Sequence, residues 1–600
     1  MPLQRAPLKT TGIILLFAGL LCSSPFSGYA QQTASTLDQA KSAMAAGIDA
    51  AQKGDLQTAQ TNFSRAVTLA PQVSATHAAL GSVYLEEGQI NLAEKELDTA
   101  HSLAPSDASI DLNLARTEVA LGHNSAALTL FRQALADPSP PQLSSSESLT
   151  YATALSASGD LPAAQSVLTT ALAATPDSAP LHDALGALLA QQGDLNTALQ
   201  QFKQAATIDP TLISAQYHLG TALLALNDPA SATAPLQLAI AATPNSFDAH
   251  LQLGRALSAL DKDAEALEQL HQAASLSSTV TNVQSLYALA LALQASGDPT
   301  GSLPIFTRAT QSPTAWKPAD YASALTNFAL AHVQTGDAKG ALPLYAQALS
   351  IGPDVPTLRE DYGVAYLQQQ DLDHAIEQFH AGLALDANDA HLHYDLGLAL
   401  KLKDNLTAAV PEFERSAQLD PSLPDPAYTL GVIYMQQGRF ANSATQLQHA
   451  VSLQPSNGDA WALLGSVLRD SGNPTGAMDA LKHAMTLQPD QPNLHVEIAA
   501  LESQAGDKEQ AAAERKIAAN LSRAVVSHQR ASFALKSGRA LLAQDKLDDA
   551  LIQLNTAVQA EPNSAEAHEL LAQVYARQGK AADAALERNR AEALTSPPAK

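Results

Sequence analysis

The sequence predicts an all-α solenoid of about sixteen helix–turn–helix repeats. The first observation is a fixed ruler of small residues and prolines. It reads Gly81, Ala93, Ala100, Pro105, then Gly186, Ala198, Ala205, Pro210, then Gly220, Ala232, Ala239, Pro244, and later Gly465, Ala477, Ala484, Pro489. The second is its period. Pro210 to Pro244 and Pro455 to Pro489 are both steps of 34 residues, the spacing of paired helices stacked in a row. The third is composition. The chain is 46% apolar but only 4% aromatic, so Ala and Leu carry the burial, as suits helices.

The N-terminus is read as a secretory signal over 1–30. Arg5 and Lys9 precede the apolar run Ile13–Leu21, and Gly28-Tyr29-Ala30 is a small-x-small cleavage site. The run is too short to span a bilayer, which needs about 20 apolar residues, and no other stretch in the mature chain reads as a transmembrane span. Cleavage after Ala30 makes the protein exported, periplasmic or secreted. The alternative is an outer-membrane lipoprotein with a lipid anchor at Cys22, the only cysteine. Leu21 stands where a lipoprotein signal wants a small residue. Residues 31–39 are read as a linker.

The array is read over 40–594, with units starting near 40, 74, 108, 145, 179, 213, 247, 283, 322, 356, 390, 424, 458, 492, 531 and 565. In the unit at 74–107, helix A is expected over Ala75–Glu87 and helix B over Asn91–Leu103. Gly88 ends the first helix and Pro105 follows the second. Leu80, Gly81 and Tyr84 form one stripe, and Leu92, Ala93 and Leu97 the facing one. Gly81 and Ala93 are small because two backbones approach there. Irregular junctions fall near 138–146, 281–282, 312–321 and 526–530, each read as a longer turn between helix pairs. A polar C-terminal cap helix is expected over about 582–594, with Arg588 where other units place Phe or Leu. Residues 595–600 are read as a disordered tail.

In these residues the chain resembles the tetratricopeptide repeat family. The unit at 458–491 carries Trp461, Leu464, Gly465, Leu468, Ala477, Leu481, Ala484 and Pro489 in the family's slots. The unit at 356–389 keeps Gly363, Tyr366, Ala375 and Phe379, but has Gly382 and Ala387 where the pattern wants Ala and Pro. The resemblance implies a right-handed superhelix whose A helices line a concave face that binds proteins or peptides. At its lining slots stand Tyr217, Tyr287, Tyr394 and Tyr428 (slot 5) and Arg116, Arg255 and Arg539 (slot 9), with Gln436 at slot 13. Tyr and Arg are common interface anchors. The family's carboxylate clamp is not matched, because the first unit offers Met44 and Ile48 in place of Lys and Asn. Its Asn ladder is not matched either, with only Asn113 and Asn327 in that slot.

Net charge is −25, and no Lys/Arg cluster is visible, which argues against nucleic acid. His391, His393 and Asp395 resemble a metal set on paper, but i and i+2 residues on a helix face different ways. The seventeen histidines show no repeated partner. No phosphate loop, HExxH, GxSxG or CxxC motif occurs, so no catalytic, cofactor or metal residue is assigned and the chain is read as not an enzyme. The expected function is a non-catalytic scaffold of the cell envelope that binds a protein or peptide through its concave face. The alternative is a part of an envelope machine for exopolysaccharide secretion or pilus assembly.

Overall fold

The computed structural model describes residues 32–136 and 140–595. Among the described residues are 31 α-helices, two short 3-10 turns and no strand. The segment read as a signal peptide, Cys22, Pro138-Ser139 and residues 596–600 lie outside the described residues. The chain forms two compact units, Met1–Gly336 and Asp337–Lys600, each a stack of antiparallel helix pairs.

One pair shows how the sequence does this. Helix A runs Ser74–Glu87 and ends at Gly88 in the left-handed region, φ 73°, which costs glycine little. Helix B runs Ile90–Leu103 and buries Ala93, Leu97 and Ala100. A Cβ on Gly81 would stand 2.6 Å from Leu97 Cγ and 3.3 Å from the Ala93 carbonyl oxygen, so close approach fixes that glycine. Leu92 does not join the facing stripe. It is 45% exposed, because it precedes the inward-facing Ala93 by one position and so turns away from helix A. In the repeats of Gly47, Gly186, Gly363 and Gly397 the ring beneath the glycine is Phe63, Phe202, Phe379 or Phe413, each fully buried or nearly so.

The A–B turn is also built from local chemistry. Gly193 takes φ 88°, and Asp194 then caps helix B by accepting from the Thr197 backbone N–H. Bonds from the Thr197 side chain and then its backbone N–H hold the Asp194 carboxyl below the usual carboxylate range. Where glycine is missing, Asn227, Asp261, Gln370, Asp404 and Asp545 take positive φ of 56–61°, so the turn geometry overrides residue preference.

A second fastening is a histidine interlock. His77, His393, His495 and His568 place Nδ1 2.6, 2.6, 2.5 and 2.5 Å from Glu96, Glu412, Glu514 and Glu587, each 19 residues on. Their Nε2–H donates to the carbonyl of Pro71, Ala387, Pro489 or Pro562, each six residues back. His182 and His250 do the same with Gln201 and Gln269. Each ring ties the entry turn and helix A to helix B of its own repeat. The expectation that the histidines lack a repeated partner is therefore overturned. Their partner lies on another helix, at a spacing set by the repeat and not by a local motif.

Two other readings change. Residues 32–39 do not form a linker. A helix spans Gln32–Gln52, because no proline or glycine occurs from 32 to 46, and Ala40 and Ala43 are buried along it. Residues 526–530 are not a turn. They lie inside one 36-residue helix, Lys508–Ala543. Arg523 stands where other repeats have proline, and no proline or glycine occurs from 508 to 537, so nothing breaks the helix. Just before 281–282 the chain makes a 3-10 turn, Ser277–Thr279, fastened by Arg308 donating to Ser277 and Val280. At 312–321 a 3-10 turn, Pro313–Ala315, is pinned by Trp316 Nε1 donating to the Ala309 carbonyl at 3.1 Å. Ser144 opens the helix Ser145–Ala157 with a capping box to Glu147. The last helix, Ala581–Thr595, buries Ala584, Glu587 and Ala591 and leaves Arg588 exposed.

Within each unit the A helices of successive repeats also touch, as Ala179–Gln191 touches Ile213–Ala225 and Pro356–Gln368 touches Ala390–Leu402. Successive B helices have no comparable contact. The A layer is therefore the inner one in each unit, and side chains between neighbouring A helices are brought together.

Candidate partner-binding face

The tyrosines expected on this face are all half-buried, and each stands beside an acid from the next repeat. Burial, and then the charge of Asp248, push the Tyr217 hydroxyl up, while Arg255 opposes. Tyr217, Asp248 and Arg255 thus form one cluster across two A helices. Arg255 is exposed and donates to Gln252 at 3.1 Å on its own helix. Tyr394 is raised by burial and by Asp425 and Asp395, and Tyr428 by burial and Asp459. The pairs Tyr217/Asp248, Tyr394/Asp425 and Tyr428/Asp459 are each 31 residues apart. That offset carries a side chain from one A helix to the facing edge of the next.

Tyr287 departs from this spacing, with its acid, Asp320, 33 residues on, because it precedes the irregular junction at 312–321. Its hydroxyl accepts from Asn327 Nδ2 at 2.9 Å, and its ring meets Trp316 edge-on with centroids 5.5 Å apart. Burial pushes its hydroxyl up, and the Asn327 bond opposes.

Two of the three arginines are held in ion pairs. Arg116 pairs with Glu86 at 3.1 Å and donates to Asn113 at 3.3 Å. Arg539 pairs with Glu566 of the next repeat. Gln436 is exposed at the end of its helix. The seven residues therefore do not make one site. Tyr217 and Arg255 come together, Tyr394 and Tyr428 lie on consecutive A helices, and Tyr287, Arg116 and Arg539 stand apart.

Residue-type reasoning missed the acids. Asp248, Asp425 and Asp459 share one repeat position, and Asp361 and Asp395 share another, 34 residues apart. The repeat spacing was the signal that could have found them. Of His391, His393 and Asp395, the structure turns His393 to Glu412, while the charge of His391 acts on Asp395, four residues on along the same face. Among the described residues, Glu94, Glu118 and His123 bring ligand atoms within 4.8 Å of one another. The hydrogen bond that His123 Nδ1–H donates to Glu118, at 2.9 Å, accounts for much of that approach.

Models described as "Tetratricopeptide repeat" match residues 332–396, 287–356, 428–492 and 390–423, and one described as "TPR repeat" matches 186–227 and 538–579. No curated protein matches the chain in sequence. Among solved structures, MamA is 21% identical over 27% of this chain and 94% of its own, with a TM-score of 0.26. A MamA fragment from Desulfovibrio magneticus RS-1 is 20% identical over 28% and 95%, with a TM-score of 0.26. The APC/C hetero-tetramer Cut9-Hcn1 matches at 14% identity over 90% of this chain and 98% of that one, with a TM-score of 0.32.

Proposed function

The chain belongs to the tetratricopeptide repeat family, and from that premise we propose that it is a non-catalytic scaffold of the cell envelope that binds its partner through the inner, A-helix face. A protein–protein interaction scaffold is what such repeats make. The observation that carries the finer reading is the contrast between slots. Framework positions such as Gly363 and Phe379 recur because stacking recurs, whereas the tyrosines, arginines and acids of the A helices are unevenly placed. Half-buried tyrosines beside acids, as at Tyr217 and Asp248, offer flat apolar area with hydrogen-bonding edges, which suits peptide recognition. The export reading rests on Arg5, Lys9, the run Ile13–Leu21 and Ala30. No helix among the described residues is long and apolar enough to cross a membrane.

Site-specific photo-crosslinking tests this. A photoreactive amino acid at Tyr217, Tyr394 or Tyr428 is expected to capture a partner from envelope extract, and the same group at the outward Leu238 or Ile552 is not. With the photoreactive group moved to the exposed Arg255 beside Tyr217, simultaneous change of Tyr217, Tyr394 and Tyr428 to Ala should abolish capture. Undiminished capture by that variant would remove the face from consideration.

A further inference from the structure

The second unit holds three half-buried carboxylates with no cation of their own. Glu360 and Asp361 stand on the A helix Pro356–Gln368, and Asp395 on the next A helix, Ala390–Leu402. The two helices touch. All three side chains belong to half-buried residues, and among the described residues none makes a hydrogen bond or ion pair.

The nearby cations are committed elsewhere. Arg359 forks onto Asp354 with two bonds of 2.8 Å and reaches Gln378 at 2.6 Å. Lys403 pairs with Asp373, and Arg415 donates to Asn388 at 2.7 Å. Asp389 is used as a helix cap. His391, exposed, is the one basic group whose charge acts on the cluster. Burial, and then the charges of Asp395, Asp389 and Asp361, push Glu360 up to about 7. Burial pushes Asp361 and Asp395 up to about 6. Carboxylates drawn from water without a counter-charge oppose the fold.

A second observation comes from a different element. Tyr345, on the B helix Ala338–Ile351, is fully buried, and its hydroxyl has no hydrogen-bond partner. The charge of Asp361 acts on that hydroxyl, and the Tyr345 ring lies 5.6 Å from Tyr362, the neighbour of Asp361. A buried hydroxyl without a partner thus lies within reach of the charge of Asp361. On its far side the row continues through Tyr394 with Asp425 and Tyr428 with Asp459.

We propose that Glu360, Asp361 and Asp395, flanked by Tyr394, hold the guanidinium of an arginine in an extended basic segment of a partner protein. The inference rests on the reading that the A-helix face is the binding face. Arginine fits better than lysine, because its planar fork of five donors can serve several carboxylates at once and stack on a tyrosine.

Fluorescence anisotropy on the full chain tests it. The probes are a labelled glycine–serine peptide carrying three arginines, its citrulline counterpart and its lysine counterpart. The arginine peptide should bind about tenfold tighter than either, with affinity rising from pH 5.5 to pH 8 as the carboxylates ionise. The variant Glu360→Gln, Asp361→Asn, Asp395→Asn should lose that preference. The variant Asp479→Asn, Asp490→Asn, Glu509→Gln removes the same charge at exposed positions and should keep it. Equal binding of the arginine and citrulline peptides, or equal losses in the two variants, would overturn the proposal, and equal binding of the lysine peptide would overturn the guanidinium assignment. The cluster variant should melt no lower than the parent, since amides relieve its repulsion. If crosslinking through Tyr217 persists without any arginine preference, this proposal falls and the scaffold reading stands. If both fail, the scaffold reading falls with it.

Discussion

Asp361 and Asp395 occupy one repeat position on adjacent A helices, and both are raised to about 6 by burial. A carboxyl raised above its unfolded value of 3.8 binds its proton more tightly in the folded chain. Its contribution to stability is therefore fully present below about pH 4 and is lost as pH rises through about 6. The variant Asp361→Asn, Asp395→Asn is expected to match the parent in melting temperature at pH 4 and to exceed it increasingly toward pH 8. A gap that stays flat with pH would show that these groups are not held out of water. Both aspartates are visible in the sequence as a step of 34 residues. Their burial is not, because it depends on how closely one A helix leans on the next. Gly363 is legible for the opposite reason. A Cβ there would crowd the Phe379 ring, so the position takes the smallest residues, Gly here and Ala at 115 and 290.

At the scale of the element, the interlock of His568 with Glu587 and the Pro562 carbonyl joins the last two helices to the turn before them. Arg590 also bonds Glu587, at 2.7 Å. His568→Ala leaves the buried Glu587 carboxylate with Arg590 as its remaining donor and unties the Pro562 carbonyl, at a cost of about 1–3 kcal/mol. Hydrogen exchange should quicken across Ala565–Arg577 and Ala581–Thr595. His568→Gln should lose less, because Gln216 already donates to the Pro210 carbonyl at 3.0 Å in the same repeat position. Equal exchange in parent and His568→Ala would deny the interlock any energetic role. The sequence contained this device as His and Glu 19 residues apart. It went unread because that offset is long-range, so no helical or turn periodicity flags it. The long helix Lys508–Ala543 teaches the reverse lesson. Extra residues do not by themselves make a longer turn, and from 508 to 537 no proline or glycine breaks the helix.

At the scale of the molecule, each unit is a row of pairs in which a repeat leans mainly on its neighbours. Removing residues 581–600 should therefore loosen Ala565–Arg577 and Leu547–Ala560, read as faster exchange, and leave Leu406–Leu419 unchanged. Global unfolding on this truncation would contradict nearest-neighbour stacking. The same linearity spreads recognition along the chain. Tyr217 with Asp248 and Arg255 lies in the first unit, and the acid-and-tyrosine face lies in the second, so two stretches of the array carry separate clusters.

By itself the sequence determined the fold and the repeat register. Helix period, left-handed glycines, capping aspartates and the small residues at helix crossings are local or recur at 34 residues, and each is set by backbone sterics and hydrogen bonding. Only the tertiary structure decided which of the repeated side chains are free. Whether an arginine is an anchor or a strut, as Arg116 is to Glu86, and whether a carboxylate is solvated or left half-buried without a cation, as Asp361 is, depends on the neighbour one repeat away. The physical reason is that ionisation and desolvation respond to everything within a few ångströms, and stacking brings those neighbours from some thirty residues along the chain.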